Sequence, residues 1–235
     1  MPKIDRKEMR KGLFIAHLRS ILKNQFQEHR EYYESMQLLL KSEDKRISDW
    51  IETKIAKYPP EEQDEVGELY SEDYWKFKSS VPAIHRSAIF ITLYSELEDV
   101  LKFLCRALGA EIKSNIQTYK WRGGILEKFK ACLEKDIGLE TSNIAVLLDE
   151  VIKIRKIRNA IVHNGGWLYK GEISEAEVID YIINRRKSVT LNDKGDEFYR
   201  IELSDAFIFD IMDIFDQLLM ELLSSISDWV KTKTA

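Results

Sequence analysis

Cysteine, proline and glycine are all scarce in this chain, and each scarcity removes a class of protein. Two cysteines in 235 residues, Cys105 and Cys132, are too few for a disulfide-stapled scaffold. Each lies among apolar neighbours in a helical pattern, which predicts two buried, reduced thiols. No paired His or Cys stands at metal-ligand spacing, so no metal site is expected. His17, His29 and His85 stand alone and read as ordinary core or surface histidines. There are four prolines, and none falls between Pro2 and Pro59, which leaves room for long uninterrupted helices. The glycine pairs Gly123-Gly124 and Gly165-Gly166 are too short to be a phosphate loop or a dinucleotide fingerprint, and no nucleophilic-serine motif is present. No cofactor is expected. Met1-Pro2-Lys3-Ile4-Asp5-Arg6-Lys7 leads into no apolar run of signal-peptide or membrane-span length, so a cytoplasmic protein with no membrane partner is expected. Internal repeats and low-complexity tails are absent as well.

Excess positive charge is also missing. With 36 basic against 40 acidic side chains, a net charge of -4 and a pI near 5.7, the chain lacks the basic character of a protein that coats nucleic acid. Any nucleic-acid contact must therefore be local. What is plentiful is apolar residues, 44% of the chain, enough for a substantial core.

The apolar residues recur mostly at helical spacing. From Arg6 to Lys57, Phe14, Leu18, Ile21, Leu22, Phe26, Tyr33, Met36 and Leu40 return at threes and fours. This predicts one long helix, or two joined near Lys41-Ser42-Glu43-Asp44 with Ser42 as a cap. Pro59-Pro60 ends it. Glu61 to Ser80, acidic and then aromatic, reads as a connector with one short helix. A second long helix starts near Ser80-Val81-Pro82 and runs to Leu108, where Gly109 is expected to stop it. Within it Glu98 falls among core positions, and a buried carboxylate needs a partner, so a structural ion pair with Arg158 or another base is expected.

Helices are further predicted from Glu111 to Tyr119 and, after the break at Gly123-Gly124, from Ile125 to near Gly138. Another runs from Thr141-Ser142-Asn143 to His163. Ser174-Glu175-Ala176-Glu177 reads as a capping box for a helix closing at Arg185-Arg186-Lys187. Val189 to Leu191 and Glu197 to Leu203 alternate around Asn192-Asp193-Lys194-Gly195-Asp196 as a small β-hairpin. The last helix, Ser204 to about Val230, is apolar nearly all round, which suits a central helix or a subunit interface. The expected fold class is therefore all-α with a minor β-hairpin before the last helix. Residues 1–79 form an amino-terminal helical extension packed on a core domain of residues 80–235.

The chemistry-bearing stretch is Arg158-Asn159-Ala160-Ile161-Val162-His163-Asn164-Gly165-Gly166. No acidic residue lies between Glu150 and Glu172, whereas Lys153, Arg155, Lys156, Arg158 and Lys170 do, so positive charge is locally concentrated along the chain. Arg158 sits on the apolar stripe, four residues after Ile154 and three before Ile161. Metal-free RNA cleavage needs a base for the 2′-hydroxyl, an acid for the leaving 5′-oxygen and positive charge on the phosphorane-like transition state. Histidine, with an unperturbed pKa of about 6.5, can be the acid or the base. Arginine supplies permanent charge and a donor fork matched to phosphoryl oxygens. Asn159, four before His163, shares its face and is expected to orient the ring or touch substrate. On a straight helix Arg158 and His163 lie about 140° apart, so two copies meeting about a two-fold axis would build one cleft from two arginines and two histidines.

Arg158, Asn159 and His163 resemble the signature of the HEPN superfamily, an arginine, then a polar residue, with a histidine four to six positions beyond. Tyr94-Ser95-Glu96-Leu97-Glu98 is similar to a segment of the earlier core helix in its prokaryotic members. The resemblance covers roughly Ser80 to Val230 by helix order. It implies an all-α bundle, a homodimer with the motifs at the interface, and metal-independent endoribonuclease activity that leaves cyclic phosphate ends. It further implies a toxin or antiphage effector restrained by an antitoxin or other regulatory protein. On this expectation Arg158, His163 and Asn159 are catalytic, and Lys153, Arg155, Lys156 and Lys170 guide the RNA. The competing expectation is a non-catalytic helical module that binds RNA or a protein partner, in which Arg158 and His163 merely neutralise and cap a helix end.

Overall fold

A computed structural model of the chain describes residues 6–23, 25–122, 124–185, 187–195 and 197–232. The first five residues, Gly123, Arg186 and Asp196, which all enter the sequence reading, lie outside them. The order is α1 (Arg6–Leu22), α2 (Gln27–Ile55), α3 (Gln63–Leu69), α4 (Ser71–Trp75), α5 (Val81–Glu111), α6 (Ile125–Ala131), α7 (Ala145–Asn164), β1 (Trp167–Tyr169), α8 (Ile173–Arg185), β2 (Val189–Asp193), β3 (Phe198–Leu203) and α9 (Asp205–Thr232). The fold is predominantly helical, with one small antiparallel sheet.

The last helix is the axis of the packing. Ser204 Oγ accepts the Phe207 N–H and so caps α9, and Asp205 in the first turn suits the positive end of the helix dipole. Twelve of its side chains are buried, and it packs against α1, α5 and α7. Its nearly all-round apolar surface is therefore covered within one chain. Leu18 and Leu22 of α1, Phe26, and Tyr33 of α2 belong to the same core, so the amino-terminal part of the 1–79 extension is bound into the main body. No residue between Tyr33 and Ile89 joins that core.

Several expected boundaries shift. The first helical stretch divides into α1, ending at Leu22, and α2, starting at Gln27, and α2 runs unbroken through Lys41-Ser42-Glu43-Asp44. There Ser42 Oγ donates back to the Leu39 carbonyl, a bond that a helix interior accommodates, so Ser42 is no cap. The connector after Pro60 is more ordered than one short helix: a 3₁₀ turn, α3, α4 and a π-helical turn at Lys76–Ser80 lead directly into α5.

Gly109 does not stop α5. It lies inside the helix, where a Cβ would approach the Ile116 side chain to 2.7 Å and the Ser114 carbonyl to 3.0 Å. Its smallness admits the following loop. That loop replaces the expected helix from Glu111 to Tyr119: Lys113 takes a left-handed φ of 57°, Ser114 N–H turns back to the Gly109 carbonyl, and only Thr118–Lys120 makes a 3₁₀ turn.

The hairpin forms with Val189 opposite Leu203 and Asp193 opposite Tyr199. A third strand, β1, was not expected. It pairs with the other edge of β3, Trp167 opposite Arg200, giving the order β1-β3-β2. The expected capping box is also redirected, because Ser174 lies within α8. Glu175 instead accepts from Asn164 Nδ2 at 2.9 Å and from the Tyr169 N–H, tying the end of α7 and β1 to α8.

Candidate functional site

The motif occupies the last two turns of α7. Leu148, Val151, Ile154, Ile157 and Ala160 are its buried residues, a spacing of three. Because three residues turn a helix by about 300°, each step carries the buried stripe about 60° around the axis. Around the axis that stripe meets α5, α9, α8 and β1, and Arg158 beside Ile157 lies half-buried near Tyr94 of α5. Its guanidinium carbon is 6.0 Å from the Tyr94 ring centroid, within cation–π reach, and Nη1 donates to Asn159 Oδ1 at 3.1 Å. Among the described residues Arg158 Nε is buried without a hydrogen-bond partner, as is the hydroxyl of Tyr94, whose ring is wholly buried.

Glu98, one turn beyond Tyr94 on α5, is half-buried, and desolvation raises its carboxyl above the usual carboxylate range. Lys102, Arg158 and Arg155 act in the opposite direction through their charge. The expected direct ion pair is not formed: among the described residues no base closes a salt bridge with Glu98. Each neighbouring cation is held elsewhere. Lys102 pairs with Asp99 at 2.9 Å, Arg155 with Glu127, and Arg158 with its own neighbour Asn159.

The expected concentration of positive charge is likewise corrected by the fold. Arg155 makes a two-pronged bridge to Glu127 of α6 at 2.6 and 2.5 Å. That guanidinium holds the Glu127 carboxyl below its ordinary range. Lys153 pairs with Asp149 one turn earlier, Lys156 with Glu177 of α8, and Lys170 with Asp193 of β2 at 2.9 Å. The acids missing from the chain between Glu150 and Glu172 are supplied by the preceding turn of α7 for Lys153 and by α6, α8 and β2 for Arg155, Lys156 and Lys170. All four residues expected to guide RNA are therefore neutralised in place, and Arg158 alone of the five cations has no carboxylate partner among the described residues.

His163 is exposed in the last turn of α7, and its side chain makes no hydrogen bond among the described residues. The helix runs unbroken through both Arg158 and His163, so a single chain leaves them on different sides of it. Termination comes just after. Gly165 and Gly166 take φ of 61° and 82°, and both N–H groups donate to the Ala160 carbonyl. Asn159, read as an aid to the histidine, is joined by its side chain to the arginine instead.

Two residues beside the motif escaped the sequence reading. A Cβ on Gly165 would sit 3.7 Å from Trp167, and the Arg200 guanidinium stacks over the Trp167 ring at 5.2 Å, with no carboxylate partner among the described residues. An exposed arginine on a half-buried indole, four residues along the chain from His163, offers a base a stacking surface and a phosphate a cation. The only sequence signal was an aromatic following the glycine pair. Among the described residues, no three His, Cys, Asp or Glu side chains gather as a metal ion would require.

No protein-family model matches the chain, and neither any curated protein nor any solved structure matches it. What the fold itself defines is a predominantly helical protein with a three-stranded antiparallel sheet, and no helix among the described residues is long and apolar enough to cross a membrane.

Proposed function

We propose that this protein is a metal-independent endoribonuclease of the HEPN type, working as a cytoplasmic homodimer and serving as a toxin or antiphage effector. The observation that carries the reading is Arg158. A half-buried arginine with an unsatisfied Nε and no carboxylate partner is a costly arrangement for a purely structural residue. It is an economical one for a residue that meets phosphate. An incoming phosphoryl oxygen supplies the acceptors that the chain withholds.

In the dimer the His163 of one subunit takes the 2′-hydroxyl proton as the 2′-oxygen attacks phosphorus, and the His163 of the partner subunit protonates the departing 5′-oxygen. A P–O2′ bond forms as the P–O5′ bond breaks, leaving a 2′,3′-cyclic phosphate and a 5′-hydroxyl. Arg158 stabilises the equatorial oxygens, Asn159 holds Arg158 in place, and Trp167 with Arg200 stacks a neighbouring base.

The exposure of His163, which makes no side-chain hydrogen bond among the described residues, favours a second reading. In that reading the helix end is a non-catalytic binding module. Cleavage of labelled single-stranded RNA in excess EDTA separates the two. Wild type should cleave and leave cyclic phosphate ends, and His163→Ala and Arg158→Ala at matched dimer concentration should lose at least a hundredfold in rate. Equal cleavage by the variants, or none by folded, dimeric wild type, would refute the ribonuclease.

A further inference from the structure

Beyond Tyr33, α2 leaves the main body and, with α3, α4 and the π-helical turn, forms an arm that reaches back at the start of α5. The arm has almost no interior. Ile51 is the one buried residue of α2 past Tyr33, and α3, α4 and the π-helical turn bury none. Helices of five and seven residues do not persist in water on their own propensity, so this arm rests on a thin set of contacts with α2. Its apolar residues lie outside. Leu39 is 52% exposed, Trp50 45%, Leu69 77% and Trp75 58%.

Part of this apolar surface runs along one face of α2. Tyr32, Leu39 and Trp50 are spaced by seven and eleven, which keeps them within about 20° on one face of α2. Tyr32 meets His85 of α5 at 5.9 Å at one end, and Trp50 meets Tyr70 edge-on at 5.3 Å at the other. A cleft of about 220 Å³ opens beside Trp50, lined by Arg46, Ile47, Asp73 and Phe77. That is smaller than the roughly 300–1,000 Å³ of small-molecule pockets and suits a single inserted side chain.

The charge around this surface selects the occupant. Between Lys57 and Lys76 the chain carries seven carboxylates, Glu61, Glu62, Asp64, Glu65, Glu68, Glu72 and Asp73, and no base. All seven are exposed, and none is in an ion pair among the described residues. This contrasts with the motif helix, where cations are matched one by one. The arm's bases lie on α2, just after it at Lys57, and after Trp75, with Lys54 Nζ 5.3 Å over the Trp50 ring, so the acidic excess is confined to α3, α4 and the turn before them, and that part repels RNA. A second copy docked about a two-fold axis would set acid against acid.

We propose that the arm is a docking platform for a cationic, amphipathic segment of another protein, whose apolar residues cover Leu39, Trp50, Leu69 and Trp75 while its Lys and Arg side chains meet the unpaired carboxylates. The platform stands apart from the motif and does not depend on the ribonuclease reading. Val81 precedes Tyr94, which faces Arg158, by thirteen residues of α5, about 20 Å of helix.

The test uses the full chain and a labelled 18-residue peptide of Lys and Leu patterned for an amphipathic helix, at 150 mM salt. A peptide of the same composition with scrambled order is the control. Anisotropy should show saturable 1:1 binding, at least tenfold weaker for the scrambled peptide. Binding should fall at least tenfold in Glu68→Lys/Glu72→Lys and at least fivefold in Trp50→Ala, with Leu69→Ser/Trp75→Ser as a second apolar variant should Trp50→Ala not fold. Equal affinity for the scrambled peptide, or unchanged binding by the folded variants, would overturn the proposal. So would a drop in oligomeric mass by light scattering in Leu69→Ser/Trp75→Ser, which would make the arm a contact between copies. Single-stranded RNA binding that Trp50→Ala abolishes would overturn it in favour of RNA.

Discussion

The pairing of Lys153, Arg155, Lys156 and Lys170 with carboxylates makes the salt dependence of RNA binding a quantitative test of the site. Each phosphate neutralised on a single strand releases counterions and contributes about -0.7 to the slope of log affinity against log salt. Two cations at the site, Arg158 and Arg200, have no carboxylate partner among the described residues, so a dimer offers four and the slope should be about -2.8. Were the four paired bases also to engage phosphate, each subunit would bring six cations and the dimer twelve, giving a slope near -8.4. Between 50 and 200 mM salt the first case weakens binding about 50-fold and the second about 10⁵-fold. The assay is equilibrium binding of labelled single-stranded RNA to His163→Ala, which keeps the RNA intact and leaves every cation in place. A slope steeper than about -6 would show that the ion pairs open on binding, and the reasoning from the free structure would then be wrong.

Two further outcomes follow from the same cluster. Arg155→Ala should destabilise the fold by about 1 kcal/mol, a figure already discounted because the Glu127 carboxylate is half-exposed. Since Arg155 lowers the Glu127 pKa, that stabilisation is present above the ordinary carboxylate pKa of about 4.3 and is lost as pH falls through the folded-state value; the wild-type and variant denaturation midpoints should therefore converge in acid. Glu98→Gln should act in the opposite sense. A carboxyl whose folded pKa is raised contributes stability below its unfolded pKa and loses it as pH rises through the folded one, so the amide should raise Tm at pH 7.5 by a few degrees, about the effect of 1 kcal/mol in a chain of this size, with no gain near pH 4. A lower Tm for Glu98→Gln at pH 7.5 would mean that its attraction to Lys102, Arg158 and Arg155 outweighs its burial.

How far the sequence was legible depended on whether a signal was local. The α9 helix was read almost to its ends because Ser204 is a local cap and the apolar spacing is continuous for seven turns. The hairpin was legible from alternation, whereas β1, three residues long, has no periodicity to detect and is fixed by partners distant in the chain, Phe198, Tyr199 and Arg200 opposite it. Gly109 misled because glycine serves both to end a helix and to admit a close neighbour, and Ile116, which decides between the two, reveals its position only in three dimensions. At the site, Arg158 was placed on the apolar stripe by its spacing from Ile154 and Ile161, and the structure sets it half-buried beside the buried Ile157. The partners of Arg155 and Lys170 lie 28 and 23 residues away along the chain, so a window without acids looked electropositive although the folded surface is matched.

That matching bears on what kind of protein would use the site. A module that works by holding RNA gains from every cation left free, because its affinity is made of phosphate contacts. A catalyst gains only from interactions that are stronger in the transition state than with bound substrate; uniform attraction to the backbone deepens the ground state and slows release. Tying Lys153, Arg155, Lys156 and Lys170 to carboxylates while leaving Arg158 without one removes the uniform part and keeps a single cation where charge would develop. On the proposed function, this arrangement of charge would give weak, salt-tolerant RNA binding together with cleavage, whereas for a purely RNA-holding module the same pattern of ion pairs would be self-defeating.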